Sequence, residues 1–258
     1  MTTSSTSSRN SRAAAKRKTG GLLENIKTIL YAGLIAIGIR TVLFEPFNIP
    51  SGSMIPTLLV GDYLFVSKYS YGYSKHSLPL SPPIFSGRIF GQLPERGDVA
   101  VFKLPRDGST DYIKRIVGLP GDRIQVIRGV LHINGQPVKR EPRGTFVAEG
   151  DGPRVQALRY TETLPNGRRH SILEESDNGP LDNTPEFLVP AGHVFAMGDN
   201  RDNSLDSRVM NAVGFVPLEN LVGRAEFLFF SVDQDGSIWQ PWTWPGSIRW
   251  SRLLTVVR

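Results

Sequence analysis

The chain has 258 residues, enough for one sizeable domain and an anchor. Its formal net charge is +6, and Arg9, Arg12, Lys16, Arg17 and Lys18 supply +5 of that before the first acid, Glu24. The remainder stands at +1, which argues against nucleic-acid binding by the folded domain, and the absence of cysteine excludes disulfides, thiolate nucleophiles and cysteine-ligated zinc.

Residues 1–24 read as a disordered basic tail, because they are mostly Ser, Thr, Arg, Lys and Ala with no apolar run. An organelle transit peptide shares that composition and stands as the alternative. From Ile26 to Phe47 the chain is mostly apolar, and residues 25–47 are predicted to form one transmembrane helix, since about 20 residues cross a bilayer core of about 30 Å. Lys27 can snorkel at one end. Arg40 interrupts the run near the other, so either it snorkels outward or the segment is interfacial there. A cleaved signal peptide is disfavoured by the length of the run and the lack of a small-residue cleavage site. The basic tail predicts a cytoplasmic N-terminus, with residues 48–258 on the far side.

The rest predicts a mainly β domain. Tyr63–Val66, Asp98–Lys103, Tyr112–Val117, Arg123–Ile127 and His193–Met197 are short apolar or alternating runs bounded by Gly, Pro and Asp. Leu131–Val138 reads as a hairpin turning at Asn134-Gly135. Residues 139–185 are polar and weakly patterned and read as an inserted subdomain or long hairpin, within a stretch of about 123–190. Trp239, Trp242, Trp244 and Trp250 crowd the C-terminal end. Two readings stand for them: a rest on a bilayer interface, or packing aromatics.

Three segments carry the chemistry. Ser51-Gly52-Ser53-Met54-Ile55-Pro56-Thr57-Leu58 follows directly on the hydrophobic span, where a small flexible turn can present a hydroxyl to a membrane-embedded substrate. A serine nucleophile needs a base. His76 and His170 read as residents of polar loops, and His132 and His193 sit on predicted strands, none in a triad context. Lysine serves as a base only when neutral, and burial lowers its pKa. Lys114 lies mid-strand in Tyr112-Ile113-Lys114-Arg115, with Tyr112, Phe102 and Met197 as candidate walls of an apolar pocket. Strand alternation sends Lys114 and Arg115 to opposite faces. A solvated edge pair is the bland alternative. The third segment, Gly198-Asp199-Asn200-Arg201-Asp202-Asn203-Ser204 running into Asp206-Ser207-Arg208, follows an apolar strand. Its alternating carboxylates resemble a calcium loop. Arg201 and Arg208 argue against a metal there, because they can neutralise those acids themselves.

Together, and in this order, the three segments resemble the bacterial type I signal peptidases, a Ser/Lys membrane protease family. Gly61-Asp62-Tyr63, Val66-Ser67-Lys68 and Gly118-Leu119-Pro120-Gly121-Asp122 add to the likeness. The resemblance implies Ser53 as nucleophile and Lys114 as general base. It implies an oxyanion hole from the Ser51 hydroxyl and the Ser53 N–H, and Ser204 orienting Lys114. Arg115, Asp199, Asp206 and Arg208 would support the site through ion pairs. The implied fold is an antiparallel-sheet catalytic domain with an inserted β subdomain, after one N-terminal transmembrane helix. The implied partners are exported preproteins, cut after a small-x-small motif such as Ala-x-Ala, and membrane lipid; no cofactor, metal or nucleic acid is implied. The implied place is the bacterial inner membrane, with a periplasmic catalytic domain. The rival readings are a membrane-anchored binding domain, a self-cleaving repressor (disfavoured by the span), and an organelle relative of the same family.

Overall fold

The computed structural model describes residues 8–78, 80–147, 156–233, 242 and 244–258, with side chains from residue 23 onward. Helix α1 (Ser8–Val42) comes first. It begins inside the segment read as disordered, where Ala13-Ala14-Ala15 and the neighbouring Lys and Arg are good helix formers. Its stretch Leu23–Val42 is apolar and long enough to cross a membrane, and none of it is buried against the protein.

Strands follow: β1 (Phe44–Asn48), β2 (Asp62–Ser67), β3 (Val99–Lys103), β4 (Asp111–Gly118), β5 (Arg123–Ile127), β6 (Val130–Ile133) and β7 (Gln136–Pro137). Then come β8 (Lys139–Val147), β9 (Gln156–Thr163), β10 (Arg169–Glu174), β11 (Phe187–Leu188), β12 (His193–Met197), β13 (Val216–Pro217) and β14 (Leu221–Ser231). The main sheet is antiparallel throughout, in the order β1-β2-β14-β3-β4-β12-β13. The expected mainly β domain is present.

The helix does not reach Phe47. Pro46 cannot donate in a helix ladder and disfavours helix at Glu45, so the chain straightens into β1. Glu45 on that strand receives Arg40 at 2.7 Å and Lys68 at 2.9 Å. Arg40 thus has a carboxylate partner just past the end of the apolar helix.

The inserted region forms two further sheets, β11-β5-β6-β7 and β10-β9-β8. The β6–β7 hairpin turns at Asn134 and Gly135, both at positive φ (54° and 78°), as an Asn-Gly turn requires. Residues 139–185, weakly patterned in sequence, supply all of the three-stranded sheet. A core of Val117, Ile124, Leu131, Phe195 and Met197 joins the insertion to the main sheet. A second core, with Met54, Leu58, Leu64, Val99 and Val222, lies beneath the Ser51–Leu58 segment. At the C-terminal end, Trp242 is 75% and Trp250 62% exposed, which removes the packing reading for those two. Trp239 and the Trp244 side chain lie outside the described residues.

Candidate active site

The segment after β1 makes a single 3₁₀ turn, Gly52–Met54. Met54 and Leu58 are fully buried and pin this turn to the core, holding Ser53 at the surface of the sheet. Across from it, β4 pairs with β3 in the register Ala100↔Lys114 and Val99↔Arg115. The short Ala100 side chain leaves room for Lys114 to lie along the sheet.

Lys114 is only 4% exposed, and its Nζ lies 2.7 Å from Ser53 Oγ and 2.9 Å from the Ile113 carbonyl. Burial lowers its pKa from 10.5 to about 8, against the opposing pull of Asp206 and Asp199. The Tyr112 ring stands 5.3 Å from Nζ and forms the expected wall. Phe102 packs behind Tyr112, with ring centroids 6.1 Å apart. Met197 is not a wall: it pairs with Arg115, so it shares the other face of the sheet and sits in the insertion's core.

Ser53 and Lys114 line an open cleft of about 480 Å³. Phe47, Ile49, Val101, Ile113 and Leu205 make its walls largely apolar, and Ser51, exposed, sits on its rim. An extended peptide with small side chains fits a cleft of this kind.

The 198–208 loop closes the site from behind. The Asn200 N–H donates to the Ser53 carbonyl and its side chain to the Gly52 carbonyl, each at 3.1 Å. Arg115 clasps Asp199 with two hydrogen bonds, 2.8 and 2.7 Å, and Thr57 donates to the same carboxylate. Burial alone would raise Asp199, but the Arg115 charge and these hydrogen bonds hold it below the usual carboxylate range. Asp206 behaves likewise: burial opposes its charge, while Arg208 and the Gly198 N–H favour it. Arg208 also donates to the Arg201 carbonyl at 2.5 Å.

Ser204 is buried beside this loop, and its hydroxyl favours the charged form of Asp206. The expected bond from Ser204 to Lys114 is not formed. Lys114 instead bonds Ser53 and its neighbouring carbonyl. Gly198 explains how tightly the pieces meet: a Cβ there would collide with Ser204 Oγ and with the Ser53 carbonyl.

The sequence reading assigned no role to Asn200, Thr57, Glu162 or His170, and it had Arg201 neutralise the acids of its own loop, whereas Arg201 pairs with Glu162 on β9. His170 is not in a polar loop but on β10, buried, with Nε2 3.2 Å from Glu162 and 4.0 Å from Asp199. Burial and the nearby Arg115 charge keep this imidazole neutral-leaning, below its usual range. Glu162 receives Arg201 at 3.1 and 2.6 Å. Alternation along β9 and β10 was the available signal, obscured by the high polarity of the segment.

A family model described as "Signal peptidase, peptidase S26" matches residues 22–230. The chain is similar to signal peptidase I of Rickettsia typhi, 48% identical over 205 residues that make up 76% of each chain. It is 46% identical to signal peptidase I of Rickettsia canadensis over 213 residues, 80% of this chain and 78% of that one. A solved signal peptidase I from Enterococcus faecalis is 24% identical, covering 52% of this chain and 97% of the other, with a TM-score of 0.30, too low to bear on the chemistry. With the family match spanning the anchor, the serine turn, β4 and the 198–208 loop, the chain belongs to the signal peptidase family, peptidase S26, and is a serine peptidase.

Proposed function

We propose that this chain is a membrane-anchored endopeptidase that removes N-terminal signal peptides from exported preproteins after a small-x-small motif, using Ser53 and Lys114. The observation that carries the reading is the 2.7 Å contact between Ser53 Oγ and a buried Lys114 whose pKa falls to about 8.

The chemistry follows from that contact. Neutral Lys114 accepts the Ser53 hydroxyl proton as Oγ attacks the carbonyl carbon of the scissile bond. The resulting oxyanion is met by the Ser53 N–H and the Ser51 hydroxyl on the cleft rim. Collapse breaks the C–N bond, and the Lys114 ammonium returns the proton to the leaving amine. A water, deprotonated by the same amine, then attacks the acyl-enzyme and releases Ser53. Ser204, buried beside Asp206, is the orienting partner for Lys114 when that amine gains or loses its proton.

The substrate class is supported by the largely apolar cleft. Placement is supported by the unburied apolar helix just ahead of β1 and by the exposed Trp242 and Trp250, which suit a bilayer interface. The basic residues before Glu24 favour a cytoplasmic N-terminus and a periplasmic catalytic domain on a bacterial inner membrane, with no role for nucleic acid.

The test is cleavage of a detergent-solubilised preprotein carrying an Ala-x-Ala site, by the wild type and by Ser53→Ala. Cleavage at that site, lost by 10³-fold or more in the variant, is expected. Equal cleavage by both would remove the serine mechanism. No cleavage by folded wild type would remove the substrate class.

A further inference from the structure

Of the three acids in the 198–208 loop, two are taken up by arginines: Asp199 by Arg115 and Asp206 by Arg208. The third, Asp202, points elsewhere. It meets Glu174, the last residue of β10, and Asp182, in the turn that follows. One oxygen from each of the three carboxylates lies within 4.8 Å of the others.

Two of these acids are buried, each with one oxygen unpartnered. Glu174 is 2% and Asp182 0% exposed, and Glu174 Oε2 and Asp182 Oδ1 have no hydrogen-bond partner among the described residues. An orphaned carboxylate oxygen in a dry site costs more than an ordinary unmet acceptor. Here two of them face a third carboxylate. The remaining oxygens are already used: Gly179 N–H donates to Asp182 Oδ2 at 2.6 Å, and Glu175 N–H to Asp202 Oδ2 at 2.6 Å. The guanidinium at the edge, Arg140, is held by Asp177 at 2.8 Å and stays 3.8 Å from the other oxygen of Glu174. The free oxygens are therefore held in place by the bonds to their partner atoms, and neither accepts a hydrogen bond from the guanidinium groups nearby. Burial, opposed by the Arg201 charge and reinforced by those of Asp182 and Asp202, pushes the Glu174 carboxyl up to about 8.

We propose that Glu174, Asp182 and Asp202 form a divalent-cation site of the calcium class. Three hard oxygens suit a hard cation. Calcium takes six to eight oxygen ligands in a flexible geometry, which suits carboxylates from three separate segments better than the near-ideal octahedron magnesium demands. Gly179 leaves the space: a Cβ there would stand 2.6 Å from Asp202 Oδ1 and 3.1 Å from Asp182 Oδ2. Waters complete the coordination. The site lies behind the catalytic loop. It ties the β10 end and the 175–182 turn to Asp202, two residues from Asn200, whose N–H holds the Ser53 carbonyl. The ion would thus brace the loop against the insertion without touching the reacting atoms.

The inference is independent of the hydrolytic reading, because its test uses no substrate. Full-length chain in detergent, stripped with chelator, is titrated with Ca²⁺ and with Mg²⁺ while binding is followed by calorimetry and melting by circular dichroism. One Ca²⁺ per chain is expected to bind, raising Tm by about 3–6 °C at a tenfold excess over Kd, with a smaller rise from Mg²⁺. Asp182→Asn and Asp202→Asn should each weaken Ca²⁺ binding at least tenfold. The half-buried Asp202 is the safer of the two to fold. Glu174→Gln should raise the Tm of the ion-free protein while abolishing its response to Ca²⁺. Absence of saturable Ca²⁺ binding by folded wild type, or an unchanged response in Asp202→Asn and Asp182→Asn, would overturn the site.

Discussion

The Asn200 N–H donates to the Ser53 carbonyl at 3.1 Å, so the backbone of the proposed nucleophile is held by the loop that carries Asp199. Residues 147 positions apart in sequence act as one piece of the site. The serine turn is fixed from below by Met54 and Leu58, and from behind by this bond and the Asn200 side chain.

Gly198→Ala should strike that junction. The new methyl group meets Ser204 Oγ and the Ser53 carbonyl, and backbone cannot yield cheaply. Overpacking of this kind costs about 1–3 kcal/mol and shifts backbone. The expected result is at least a 100-fold fall in kcat with a folded protein. Steady-state kinetics beside a melting curve check it, and wild-type kcat would show that the junction has slack.

Activity should rise with pH. Lys114 acts as the neutral amine, and with a pKa of about 8 only about one molecule in ten is ready at pH 7. The log of kcat/KM should climb with unit slope below pH 8 and level above it. Lys114→Arg should be inactive at every pH, since guanidinium does not deprotonate. A flat profile from pH 6 to 9 would contradict the assignment of the base.

The same burial has an opposite effect on stability. The unfolded chain holds the Lys114 proton up to about 10.5, the folded one only to about 8, so stability rises with pH across that window. Below pH 8 the folded state bears the full cost of a buried ammonium. Lys114→Met should therefore stabilise the protein by up to about 3 kcal/mol at pH 7, with the gain fading toward pH 10.5. Urea denaturation at both pH values tests this, and a destabilised variant at pH 7 would count against it.

Asp199→Asn should be costly, because it leaves Arg115 buried and unpaired. Breaking one partner of such a pair costs about 3–5 kcal/mol. The double variant with Arg115→Met should recover much of that, and a double-mutant cycle measures the coupling. The lowered pKa of Asp199 also means that its contribution is present above the usual carboxylate range and lost only as pH falls below it.

Ser204→Ala removes a hydroxyl that favours the Asp206 carboxylate and does not bond Lys114 in the resting structure. Stability should stay within about 1 kcal/mol of wild type. Turnover should still fall, by tenfold or more, if the hydroxyl engages Lys114 during proton transfer. Unchanged kcat would leave Ser204 as packing only.

Short alternating runs were readable because a half-buried strand writes its period into sequence, and the Asn134-Gly135 turn because few residues adopt positive φ cheaply. Lys114 stood out because its flanking apolar residues have no use at a solvated position. An ion-pair role for Arg115 was foreseen, but its pairing with Asp199, the Asn200 bonds and the Glu162–Arg201 pair were not. Those contacts join segments far apart, and nothing local in polar β8–β10 says which of its charges turn inward. β1 was hidden for a different reason: its Phe44 and Phe47 extend the hydropathy of the helix, and only Pro46 marks the break. Met197 failed as a pocket wall through register, which local sequence does not fix.

On β4 the base and its neighbour differ by one position and by one face of the pleat. A shift of strand pairing by a single residue would displace both: one direction presents to Ser53 the Arg115 guanidinium, which never gives up its charge, and to Asp199 only Ile116, while the other presents Ile113 to Ser53. Chemistry here is thus a matter of odd and even.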